Sequence, residues 1–174
     1  MFIYQDEHDP REDDNLGTMV CFHGKYKLGD THDINHNDFS SFEEMERYLV
    51  KKTKAKIILP LYLYDHSGIT MSTTAFSCRW DSGQVGFIYI TAEKIRKEYN
   101  VKRISPKLIE KVTEILQAEV KEYDDFLTGN QYQINITDEE TETHCIDSFN
   151  GNGYNEMIED AEKIIDRLLE NLKK

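Results

Sequence analysis

The 174-residue chain is long enough for one domain with a real core, and 33 Asp and Glu against 21 Lys and Arg give it a formal net charge of −12. The acid gathers at the two ends: Met1–Asp38 holds 9 acids and 3 bases, and Glu119–Lys174 holds 15 acids and 5 bases. Such segments repel nucleic-acid phosphates and attract basic protein surfaces, which disfavours direct nucleic-acid binding, and no apolar run approaches the roughly 20 residues of a membrane helix.

Phe2–Gln5 reads as a short strand, and the charged run Asp6–Asp14, broken by Pro10, reads as a solvated loop. Thr18–His23 alternates and is rich in β-formers, so a strand is expected there, followed by a polar loop from Gly29 to Asp38 that carries His32 and His36. Ser40 and Ser41 each precede a glutamate by three residues, Glu43 and Glu44, the spacing of a capping box. A helix is predicted from there, with Phe42, Met45, Leu49 and Val50 as its apolar face and lysines at its end.

The stretch Ile57–Ile90 organises the chain. Two apolar runs, Ile57–Tyr64 and Val85–Ile90, predict buried strands; Asp65-His66-Ser67-Gly68 is a turn signature, and Ile69–Thr74 is a short polar strand or loop. Thr91 caps a short helix through Tyr99, and Ser105-Pro106 opens a long one whose apolar residues keep helical spacing to Leu127 before Gly129 stops it. Tyr132–Thr137 and about Thr143–Phe149 read as a hairpin across the acidic turn Asp138–Glu142, and the stripe Met157 to Leu172 predicts a last amphipathic helix. Strands and helices in this mixed order predict an α+β fold: an antiparallel or mixed sheet with helices mainly on one face, in a single acidic domain spanning residues 1–174.

Four chemistries are weighed against plainer roles. Cys21, Cys78 and Cys145 form an odd set without a CxxC pair, and Met1–Asp6 does not read as a signal peptide, so free thiols in a soluble protein of a reducing cytoplasm are expected. Cys21 and His23 share a strand face, and His66, Cys78 or Asp81 would complete a zinc shell, but the spacing matches no ordinary zinc module; no metal or other cofactor is expected. Asp65-His66-Ser67 is too contiguous for a catalytic triad, because neighbours on an extended strand point to opposite faces. Cys78 with Asp81 and His66 is the better thiol candidate, yet only Arg79 is at hand to stabilise a thiolate, so a hydrogen-bonded turn is the reading preferred for the cluster Cys21, His23, His66, Cys78, Trp80 and Asp81. Asp81–Gly86 bears glycines but precedes a strand, the wrong order for a phosphate loop.

The fourth candidate is the acidic surface: Asp6, Glu7, Glu12, Asp13 and Asp14; then Glu119, Glu122, Asp124 and Asp125 with Asp138, Glu139, Glu140 and Glu142; then Glu156, Glu159 and Asp160. It serves either solubility or a basic protein partner.

The runs Asp14–His23, Tyr26–Asp30, Leu59–Met71 and Phe76–Tyr89 resemble a family of small proteins carried by bacteriophages and mobile elements, the likeness covering Asp9 to about Leu127. The resemblance implies a counter-defence role in the host cytoplasm, with some similar proteins acting as anti-CRISPR inhibitors of Cas9-type nucleases. It implies no catalytic residues. A small cytoplasmic enzyme or metal-binding protein using Cys78/Asp81/His66 or Cys21/His23 is the alternative.

Overall fold

A computed structural model describes residues 2–137, 144–150 and 154–172. The elements are β1 (Phe2–Gln5), β2 (Thr18–Cys21), α1 (Phe42–Thr53), β3 (Ala55–Asp65), β4 (Ile69–Ser72), β5 (Ser82–Thr91), α2 (Ala92–Glu98), α3 (Pro106–Thr128), β6 (Gln131–Thr137), β7 (His144–Asn150) and α4 (Tyr154–Leu172). All strand pairs are antiparallel, in two sheets ordered β1-β6-β7 and β2-β5-β3-β4, so the fold is α+β. The chain packs as two compact units, Pro10–Asp124 and Met1–Asp9 with Asp125–Lys174.

In the Pro10–Asp124 unit the two apolar runs pair as β3 and β5 from Ala55↔Thr91 to Tyr64↔Ser82. Residues of β5 alternate between two covered faces, which is why Val85, Gly86, Phe87 and Ile88 are all buried. Phe87 packs with Met45 and Leu49 of α1, joined by Ile58 and Tyr89. Ile88 points the other way, where it and Leu116 of α3 close on Gly17. Helices are thus found on both sides of this sheet at β5.

Pro60 stands inside β3 without disrupting it. β4 pairs only with Tyr62–Asp65, so at Pro60 the strand has β5 as its one neighbour, and the missing N–H is tolerated as on an edge. Asp65–Gly68 makes the tight β3–β4 turn, with His66 N donating to Gly68 O at 3.0 Å and Ser67 in the left-handed region at φ 59°. Gly86 is needed where β2 crosses close to β5, since a Cβ there would lie 1.9 Å from the carbonyl oxygen of Val20.

Helix starts follow the sequence signals. Ser41 is the cap of α1, accepting from Glu44 N, while the Glu44 carboxylate reaches back to Ser40 N and Oγ at 2.8 and 2.7 Å. Thr91 caps α2 through Lys94 N, and Ser105 Oγ accepts from Leu108 N ahead of Pro106 at the first position of α3.

In the other unit β6 lies between β1 and β7, paired with β7 from Gln131↔Asn150 to Thr137↔His144. The hairpin strands are therefore present, and the acidic turn between them lies outside the described residues. Ala161 of α4 is fully buried, while Leu169 of the same helix is exposed.

Candidate functional site

The acidic residues divide by what they touch. Glu7, Glu12, Asp13, Asp14 and Glu159 are exposed; Asp6 and Glu122 are half-buried, and Asp125 is buried. Asp138, Glu139, Glu140 and Glu142 lie outside the described residues, as do the side chains of Glu156 and Asp160.

Two more of the candidates turn inward. Glu119 of α3 accepts from Leu16 N at 2.6 Å and from Gly17 N, and ion-pairs with Arg11 Nη1 at 3.2 Å. Arg11 in turn donates to both oxygens of Asp30, at 2.8 and 2.9 Å, and to the Gly17 carbonyl. The Arg11 side chain is 4 % exposed. Burial alone lowers the pKa of a guanidinium, but the bonds and charges of Asp30 and Glu119 outweigh it and the net shift is upward. Asp124 likewise accepts from Thr70 Oγ1 and Met71 N at 2.6 and 2.7 Å, fastening α3 to β4. Glu119 and Asp124 thus hold the fold together instead of facing a partner. The sequence reading missed Arg11 and Asp30; the signal available was a lone cation inside the anionic run Asp6–Asp14.

The Cys21/His23 pairing does not form. β2 ends at Cys21, whose side chain is buried, and burial together with the nearby Asp30 charge pushes its thiol up to about 12, against the opposing effect of Arg11. His23 is exposed in the following turn, stacked on Tyr26 at 5.1 Å, with Nδ1 accepting from Lys25 N and Tyr26 N. One side chain faces the core and the other caps a turn, because the strand stops between them. Among the described residues no group of three or more His, Cys, Asp or Glu side chains is placed to hold a metal ion.

His66, Cys78 and Asp81 do come together, on the Asp81 carboxylate. Cys78 Sγ donates to Asp81 Oδ2 at 3.5 Å, and His66 Nδ1 lies 3.4 Å from the same oxygen. The carboxylate thus sits between thiol and imidazole, an order that ties a loop and does not set an imidazole to take the thiol proton. Further bonds hold this loop: Asp65 N donates to the Asp81 carbonyl at 2.8 Å, and Ser82 Oγ donates to the Cys78 carbonyl.

Trp80 stands on that loop 96 % exposed. It borders a cleft of about 490 Å³ with Phe22, Phe42, Leu63 and Val85 in its walls and His23, His36, Asp65 and Asp81 around them. Phe22 is clasped by His32 and His36 at 4.8 and 5.5 Å, and His36 meets Phe42 edge-on at 5.8 Å. These wall residues come from β2's exit, α1, β3 and β5, so their assembly was invisible along the chain. A larger concavity of about 930 Å³ is lined by the consecutive residues Cys21–His36 and is the curl of that one loop.

No helix among the described residues is long and apolar enough to cross a membrane. Comparison of the chain with protein-family models, with curated proteins and with solved structures gives no match.

Proposed function

We propose that this is a binding protein that occupies a positively charged partner surface, acting as a phage or mobile-element counter-defence factor that inhibits a Cas9-type nuclease. The observation that carries the reading is Trp80, 96 % exposed beside an aromatic-walled cleft on a chain of net charge −12. Folding removes tryptophan from water wherever it can, and exposed aromatic anchors are where binding energy concentrates at protein interfaces. The acidic ends supply the long-range attraction, and the likeness of Asp14–His23 and Phe76–Tyr89 to phage-borne proteins supplies the setting. A guide-RNA-directed nuclease holds its nucleic acids in a strongly basic channel, which an acidic protein enters as phosphate does.

The test is a DNA-cleavage assay with a purified guide-loaded nuclease and increasing amounts of the protein, run at low and high salt. Dose-dependent inhibition that weakens as salt rises supports the reading, and Cys78→Ala is expected to inhibit as well as the parent. Unchanged cleavage at large molar excess, with no co-migration on gel filtration, sinks it. Inhibition abolished by Cys78→Ala and by Cys78→Ser alike, the serine keeping a hydrogen-bond donor toward Asp81, would favour the thiol-enzyme alternative.

A further inference from the structure

We infer that the cleft beside Trp80 is a seat for an arginine side chain of the partner, stacked on the indole with its guanidinium on the Asp81 carboxylate. The inference rests on the binding-protein reading and names the chemistry by which the partner is held.

Three observations converge on this guest. Trp80 presents an open π face, which attracts a flat, weakly hydrated cation more strongly than any other aromatic. The neighbouring Asp81 side chain is 39 % exposed, and its contacts with His66 and Cys78 both fall on Oδ2. The apolar wall of Phe22, Phe42, Leu63 and Val85 suits the methylene stem that an arginine buries while its head stays polar.

The neighbouring charges narrow the assignment to Asp81. Asp65 also borders the cleft, but Lys25 Nζ lies 3.9 Å from its Oδ2 and Tyr26 Oη donates to its Oδ1 at 3.3 Å. Arg79, exposed next to Trp80, opposes any cationic guest, so Trp80 and Asp81 must outweigh it. Arginine fits better than lysine because its planar fork stacks and bonds to a carboxylate at once, whereas an ammonium is a compact, strongly hydrated point charge. The molecule's net charge of −12 brings such a guest in.

Trp80 is the only tryptophan in the chain, so its fluorescence reports on this site alone. Hexa-arginine, hexa-lysine and hexa-citrulline peptides are titrated into the full chain, with emission of Trp80 and anisotropy of a labelled peptide as readouts. Hexa-arginine is expected to shift the emission saturably and to bind at least about tenfold more tightly than hexa-lysine, with hexa-citrulline inert. Asp81→Asn and Trp80→Ala should each weaken hexa-arginine at least about tenfold by anisotropy, while circular dichroism stays that of the parent. Equal responses to arginine and citrulline, an unmoved Trp80 emission, or unweakened binding by both variants overturns the seat. In the nuclease assay, a Trp80→Ala variant that inhibits fully refutes the seat and leaves the counter-defence reading standing; a parent protein that never inhibits, yet binds hexa-arginine at Trp80, does the reverse.

Discussion

Cys21 and Cys78 carry the same thiol into opposite surroundings. Cys21 is buried at the end of β2 beside Asp30, where a thiolate would lose its hydration and meet a like charge, while Cys78 is half-exposed in the loop that bears Trp80. Iodoacetamide on the folded protein followed by peptide mapping should therefore label Cys78 and spare Cys21, and urea should release Cys21 to react. The Cys21 shift also has a pH consequence. Its folded value lies above its unfolded one, so the stabilisation is whole below about pH 9 and is lost as pH rises toward about 12. Within that window the difference in stability between the parent and Cys21→Ala should shrink by up to about 1.4 kcal/mol per pH unit in denaturant melts. Arg11 makes the complementary case: removing it leaves the Asp30 and Glu119 carboxylates without their shared, buried cation, so Arg11→Ala should cost about 3–5 kcal/mol in the same melts.

The elements are held by a few contacts whose loss has a calculable size. β2 lies so close to β5 at Gly86 that a methyl group there would strike the Val20 carbonyl, and relief requires the two strands to part. Gly86→Ala should therefore destabilise the fold by at least about 1–3 kcal/mol, whereas Gly83→Ala, with open space around it, should change stability little. Leu49 of α1 is fully buried in the cluster with Met45 and Phe87, and Leu49→Ala should cost about 2–5 kcal/mol by calorimetry or urea unfolding. The caps were readable because they are local: Ser41, Thr91 and Ser105 need only the backbone amide three residues ahead. The extent of β5 was less so, since its polar beginning, Ser82-Gly83-Gln84, becomes a strand through pairing with Tyr62–Tyr64 and not through its own propensity.

At the scale of the molecule, charge is the property that acts at a distance. Exposed acids of the first segment, Glu7, Glu12 and Asp14, remain available to a partner, while Glu119 and Asp124 are spent on the interior. If the charge steers and the Trp80 cleft retains, stopped-flow association with the partner should slow steeply as salt rises while dissociation changes little, and Trp80→Ala should do the opposite. Equal effects of salt on both rates would count against this division of labour.

The sequence by itself determined the α+β class, the caps, the β3–β4 turn and the sign of the surface, because each follows from neighbours in the chain or from summed composition. It also brought Cys78, Trp80 and Asp81 to notice, since they are contiguous with a turn. Which acids face water, which helix covers which side of β5, and which residues wall the Trp80 cleft were decided only by tertiary structure. An aspartate or glutamate looks the same along the chain whether it meets solvent or a buried arginine, and Arg11 reaches Glu119 across 108 residues. Burial and long-range pairing are properties of the packed chain, and they separated the structural carboxylates from the exposed ones.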